Sequence, residues 1–188
     1  MTRRIIGIIG KKGSGKDTVG DYLIEEYNYV RFAFGDKVKD VARTLFNFSE
    51  TQLYGNQKDT IDKRYGLKPR HVFQRLGTEF GQFDIHQLFP EINDKIALRS
   101  FWTIAFKEFC QKNPDKNIVV TDVRFRHECQ VITEMGGEFV KIKRNGLPED
   151  IHLSETELSN IKFDRVLDNN FERVDLYSQI DILIMVPF

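Results

Sequence analysis

Residues 10–17, GKKGSGKD (Gly10-Lys11-Lys12-Gly13-Ser14-Gly15-Lys16-Asp17), decide how this chain is read. They match the phosphate-loop template G-x-x-x-x-G-K-[ST] at Gly10, Gly15 and Lys16, with an aspartate where a hydroxyl is expected and that hydroxyl displaced to Thr18. A phosphate chain needs several N–H donors converging on it. Glycines therefore stand where side chains would block the backbone, and a helix N-terminus adds partial positive charge. Gly10, Gly13 and Gly15 supply the clearance, Lys16 supplies a point charge, and Lys12, Ser14 and Thr18 complete the candidate cradle. Before the loop, IIGII at 5–9 reads as a strand buried on both faces. After it, Val19, Tyr22, Leu23 and Tyr27 recur at helical spacing. Strand, Gly-rich turn and helix are the context that separates such a loop from a Gly/Lys surface turn.

Working outward, residues 30–34 read as a second strand, and Asp36 stands where it would cap a helix. That helix places Val38, Val41, Ala42, Leu45 and Phe46 on one face. Residues 49–69 are polar and broken by Gly55, Asn56 and Gly66, the pattern of a mobile segment. Phe73, Leu76 and Phe80 predict a helix over 70–80, followed by a broken stretch to Pro90. Leu98, Phe101, Trp102, Ala105 and Phe109 predict a longer helix over 92–111. A β-branched strand at 118–123, a helix at 128–135 and a strand at 139–143 follow. Residues 165–167 read as a last strand. The end of the chain fits a closing helix from 174 or a strand at 182–186.

Alternating strands and helices predict an α/β fold: three layers, a mostly parallel sheet with helices on both faces, in one domain spanning 1–188. Residues 36–111 form a helical insertion suited to holding a second substrate, and 145–160 is a candidate lid. Ligands of such sheets sit beyond the carboxyl ends of the strands, so the loop and the segment after Val120 are expected to open onto one crevice.

The 28 basic and 28 acidic side chains among 188 residues cancel. This argues against a broad surface for polymeric nucleic acid or membrane. The two cysteines, Cys110 and Cys129, have no metal-ligand spacing with the four histidines and read as reduced thiols. No signal-peptide pattern and no apolar run of the ~20 residues needed to span a bilayer is present. The expectation is a cytoplasmic protein. A homodimer is compatible with the sequence.

Asp122 and Arg124 end the buried 118–120 run. A carboxylate there can hold Mg²⁺, and a guanidinium can neutralise a transferring phosphoryl group. A surface ion pair is the competing reading. Asp17 has three readings: a metal or metal-water ligand, a group that orients the acceptor, or an acidic residue favoured by the helix dipole. The segment KPRHVFQRLGTEFG at 68–81 combines Arg70, Gln74, Arg75, Thr78 and Glu79 with an apolar face. It can bind a monophosphate and hydrogen-bond a base or sugar, or can simply be a solvated helix face. Arg144 is a candidate for contact with donor phosphates or adenine. His152 lacks a second metal ligand at helical spacing.

Taken in order, GKDT at the loop, FxxGDKVK at 32–39, LYG at 53–55, PRxxxQxLGTEFG at 69–81, TDVRFxxE at 121–128, GGEFVKIKR at 136–144 and HxSE at 152–155 resemble the viral and phage deoxynucleoside monophosphate kinases. The resemblance implies a nucleoside-monophosphate-kinase fold and transfer of the γ-phosphoryl group of ATP to a deoxynucleoside monophosphate, with Mg²⁺. It implies that Lys16 and the loop hold the donor. Asp17, Asp122 and Arg124 match catalytic positions; Asp17 and Asp122 are the candidate metal ligands. Lys39, Arg70, Gln74, Gly77, Thr78 and Glu79 fall in the acceptor-binding motifs. Phe80 stands where a Trp is frequent, which bears on base preference. Two other readings are a kinase for another small phosphorylated acceptor, such as phosphomevalonate, and a non-catalytic nucleotide-binding switch.

Overall fold

A computed structural model describes residues 3–147 and 161–186. Most of the candidate lid, with His152, Ser154 and Glu155, lies outside the described residues. In chain order the elements are β1 (Ile5–Ile9), α1 (Lys16–Tyr27), β2 (Val30–Phe32), α2 (Phe34–Phe46) and α3 (Glu50–Leu53), then a 3-10 turn at Asn56–Asp59. Next come α4 (Pro69–Gln74), a π-helix at Arg75–Asp84, α5 (Ile85–Leu88), a 3-10 turn at Pro90–Ile92 and α6 (Thr103–Lys112). The rest is β3 (Ile118–Val120), α7 (Arg126–Glu134), β4 (Glu138–Lys143), β5 (Arg165–Asp168) and α8 (Arg173–Met185). The chain divides into two compact units, Met1–Ala33 with Phe106–Phe188, and Phe34–Ala105.

The first unit is built on a sheet of order β2-β3-β1-β4-β5 in which every pairing is parallel. All five residues of β1 are buried, as a central strand covered on both faces requires. Side chains alternate along a strand, so Ile6 and Ile8 face one layer, where they pack with Val19 and Leu23 of α1 and Leu176, Ile180 and Leu183 of α8. Ile5 faces the other layer; it and Ile132 of α7 both border Gly137. Phe106, fully buried, meets Phe32 edge-on at 5.1 Å between ring centroids.

In the second unit, α2 buries Val38 and Ala42, and Ala42 packs with Phe48, Leu53 and Val72. Its apolar face is narrower than the pattern predicts, since Leu45 is 63% exposed. Helix α2 begins at Phe34, so Asp36 lies in its first turn and does not cap it. The polar 49–69 stretch is knit together. Ser49 and Gln52 form a capping box on α3, and the buried Asp62 accepts from Gln52 Nε2 at 2.8 Å and Arg64 Nη2 at 2.6 Å.

Several boundaries differ from the sequence expectation. The second strand ends at Phe32, since Phe34 already opens α2. The break after Phe80 is absent, because the π-helix and α5 carry the chain on to Leu88. The helix over 92–111 shrinks to Thr103–Lys112. Arg99 adopts a left-handed backbone (φ 70°), which ends any continuous helix there, and Leu98 is 61% exposed despite its helical spacing. The strand at 118–123 ends at Val120. The terminal ambiguity resolves as the helix α8.

Candidate active site

Parallel pairing fixes which ends of the strands meet. Gly7 stands beside Val120, so the loop leaving β1 and the 121–125 segment leaving β3 emerge at the same edge of the sheet. The loop then turns sharply, with Gly13 at φ 80° and Gly15 at φ 104°. At Gly15 the left-handed backbone and the Asn169 side-chain amide, which lies where a Cβ would be, both require glycine.

Donors from the chain itself hold the loop's carbonyls. Lys16 Nζ donates to Gly10 O at 2.6 Å and Lys11 O at 2.9 Å, Arg144 Nη1 donates to Gly13 O at 3.1 Å, and Asn169 Nδ2 donates to Ser14 O at 2.8 Å. With the carbonyls engaged, the N-terminus of α1 is left for an anion: Gly15 is its cap residue and no side chain caps it. The Ser14 hydroxyl is buried without a hydrogen-bond partner, an orphan of the kind a bound ligand can satisfy. Lys12 and Asp17 are exposed, and Thr18 is half-buried.

The 121–125 segment is tied to the same helix. Thr121 packs against Gly20 of α1 so closely that a Cβ at Gly20 would lie 2.7 Å from it. Asp122 is half-buried and Arg124 exposed. Their backbone is set by Glu128, whose Oε2 accepts from Arg124 N at 2.7 Å and Phe125 N at 3.0 Å. Burial above all, and then the charge of Asp122, push the Glu128 carboxyl up to about 8.

Beside the loop lies a cavity of about 380 Å³ lined by Gly15, Thr18, Arg144, Asn169, Asn170 and Phe171 among others. Asn169, Asn170 and Phe171 were not singled out from sequence. A signal existed: they follow β5, at the strand ends where ligands of parallel sheets collect. Phe171 is 71% exposed, an unusual expense for a ring.

In the second unit the predicted acceptor residues fall on adjoining elements. Lys39, on α2, pairs with Asp36 at 3.0 Å and lies 4.2 Å over the Tyr54 ring. Arg70 and Gln74 lie on α4, and Gly77, Thr78 and Glu79 on the π-helix, where Gly77 borders Val38 of α2. The Arg70 fork is engaged by Asp59, with Nε to Oδ1 at 2.6 Å and Nη2 to Oδ2 at 2.9 Å. That bidentate geometry is also how a guanidinium takes a phosphate.

A glycine-rich loop opening a helix at the edge of a parallel sheet, with a lysine on the loop and an Asp-Arg pair on the neighbouring strand end, defines a P-loop kinase. The fold agrees: shikimate kinase from Aquifex aeolicus superposes with a TM-score of 0.51 over 96% of both chains at 16% identity. TT1252 from Thermus thermophilus superposes with a TM-score of 0.50 over the whole of both chains, also at 16% identity. The family model for deoxynucleotide monophosphate kinase matches residues 4–65 and 70–180. A provisionally named deoxynucleotide monophosphate kinase of Acanthamoeba polyphaga mimivirus is 38% identical over 94% of this chain and 93% of its own length. A deoxynucleoside-5′-monophosphate kinase of Escherichia phage T5 is 28% identical over 62% of this chain and 44% of its own. The chain belongs to the deoxynucleotide monophosphate kinase family, and is a kinase.

Proposed function

We propose that this enzyme transfers the γ-phosphoryl group of ATP to the 5′-phosphate of a deoxynucleoside monophosphate, giving ADP and a deoxynucleoside diphosphate. The observation that carries the reading is the sheet edge where an uncapped helix N-terminus, Lys16 and the 121–125 segment emerge together. The α1 N–H groups and Lys16 bind the donor phosphates. Lys16 exchanges its carbonyl partners for phosphate oxygens, and the Ser14 hydroxyl gains a partner. The cavity beside the loop takes the donor nucleoside, with Phe171 as a stacking face, the Asn169 and Asn170 amides as polar contacts and Arg144 over the phosphates.

Lys39, Arg70, Gln74, Gly77, Thr78 and Glu79 bind the acceptor. An attacking phosphate oxygen is already anionic, so the step needs positioning and charge neutralisation more than a base. Arg124 neutralises charge on the group in flight. Among the described residues no three His, Cys, Asp or Glu side chains converge as a metal cage. Asp17 lies in the first turn of α1 and Asp122 just after β3, at the sheet edge where the loop and the 121–125 segment emerge together; two carboxylates so placed fit Mg²⁺, which typically takes one or two carboxylates with substrate phosphates and water. Asp17 and Asp122 would hold it, and when bound it offsets charge on the phosphate oxygens.

No described helix is long and apolar enough to cross a membrane, and we place the enzyme's work in the cytoplasm; a homodimer is testable by sedimentation. The deciding experiment is ADP release from ATP and Mg²⁺ with each of the four dNMPs and with phosphomevalonate. Release dependent on at least one dNMP is expected. Release with phosphomevalonate alone, or with no acceptor, overturns the reading.

A further inference from the structure

Trp102 has no place in the donor site or among the acceptor cations, yet it is seated in the segment that carries Gly77, Thr78 and Glu79. Its indole Nε1 donates to the Gly77 carbonyl at 3.1 Å. The same ring lies over Gly81, which is buried and whose Cβ, if it had one, would collide with the indole nitrogen. Both contacts fall inside the π-helix Arg75–Asp84.

A π-helix closes its hydrogen bonds from i to i+5 and occurs mostly as single turns at functional sites. A run of ten residues therefore needs support from outside itself. In an α-helix the Gly77 carbonyl would accept from the Gly81 N–H. Here the indole N–H takes that carbonyl, and the ring fills the space over Gly81. The delivery of the ring is itself fixed. Arg99, left-handed and three residues before Trp102, donates from Nε to the Gln82 side chain at 2.9 Å and from its backbone N–H to Gln82 O at 3.2 Å. Gln82 is 1% exposed, so this anchor is internal to the unit. Phe101 braces the indole edge-on, with centroids 5.3 Å apart.

We propose that Trp102 is a positioning residue for the acceptor: by holding the Gly77–Gly81 turn open in the π form, it sets the directions in which Thr78 and Glu79 face, and hence the affinity for the nucleoside monophosphate. The inference rests on the acceptor reading given above. Widening the turn rotates successive side chains away from their α-helical directions. Loss of the wedge would let the segment relax toward α geometry and misdirect both residues.

Trp102 is the only tryptophan in the chain, which gives a test that needs no variant. Titrating the wild-type protein with a dNMP alone, with no ATP, should change the Trp102 fluorescence saturably; ATP alone should leave it nearly constant. Trp102→Phe keeps a ring over Gly81 and removes only the N–H. Loss of one hydrogen bond to a carbonyl should raise the dNMP KM about five- to tenfold, with the KM for ATP and kcat within about twofold and the melting temperature measured alongside. Wild-type activity with a dNMP, combined with silent fluorescence or an unchanged dNMP KM in Trp102→Phe, overturns the role of Trp102 alone. A wild-type enzyme that phosphorylates no dNMP overturns the functional reading instead. An equal loss on both substrates assigns Trp102 to general stability and also overturns the inference.

Discussion

The loop in the first unit and the cation-bearing helices in the second, the two regions proposed to bind phosphate, are built in different ways. The loop works through its backbone. Its carbonyls are turned to Lys16, Arg144 and Asn169, so that the helix N-terminus faces an anion with no side-chain cap to displace, and only Lys16 would have to exchange partners. The second unit works through side chains, and its cations are already matched by acids of the same unit, Arg70 with Asp59 and Lys39 with Asp36. A preorganised backbone site binds without ordering many side chains. A paired cation must first change partners, which makes it adjustable. An exposed ion pair contributes only about 0.2–1 kcal/mol, so a phosphate dianion can displace Asp59 from Arg70 at small cost.

Substitutions should separate the two regimes. In the first unit the largest effects are on turnover. Lys16→Ala and Arg124→Ala should each lower kcat about 10³-fold, by analogy with the charge stabilisation that arginine fingers supply, with circular dichroism unchanged. Near-wild-type phosphate transfer by either purified variant sinks its assignment. In the second unit the effect should fall on the acceptor instead. Arg70→Ala should raise the dNMP KM about 10- to 100-fold, the size of a lost charge-assisted contact, while the KM for ATP stays put. A matching rise in both would blur the division between the units. A smaller effect of opposite sign is expected when the competitor is removed: Asp59→Asn should lower the dNMP KM about two- to fivefold. A raised KM there would mean that Asp59 orients Arg70 rather than competing for it.

The smallest effect concerns pH and belongs to the first unit alone. A Glu128 carboxyl raised by burial favours its protonated form in the folded state. Its contribution to stability is fully present below the ordinary glutamate range and is lost as pH rises through about 8. Glu128→Gln keeps an oxygen to accept from Arg124 N and Phe125 N without the charge. Its melting temperature should decline less between pH 5 and 9 than that of the wild type, by about 2–6 °C. Identical slopes would show that Glu128 does not titrate in this range.

The same division governs how much could be read from the sequence. The glycines at 10, 13 and 15 spell backbone geometry directly, and the β-branched runs at 5–9 and 118–120 announce central strands. Periodicity failed where distant contacts override it. Leu98, Phe101, Trp102 and Ala105 have helical spacing, but Arg99 turns left-handed against Gln82 and Trp102 is drawn to Gly77, so no helix spans them. The expected break after Phe80 did not occur because a π-helix carries the chain through it, and no local pattern distinguishes π from α turns. For Asn169 to Phe171 the one signal was their place after the last strand; it is the fold that sets Asn169 against the loop, where it donates to Ser14 O. No sequence pattern ties Asp59 to Arg70, eleven residues further on, and only the fold pairs them.

The boundary between the units crosses the chain twice, just after β2 and within α6, and the rings at those two places, Phe32 and Phe106, touch. Both rings belong to the first unit, so the two points at which its chain is interrupted by residues 34–105 lie side by side within it. Closing so short a gap costs little loop entropy, and insertions or replacements succeed at such places. On the assignment proposed above, acceptor specificity would change hands as a cassette, by exchange of everything between Phe34 and Ala105, with the loop proposed to hold the triphosphate left unbroken.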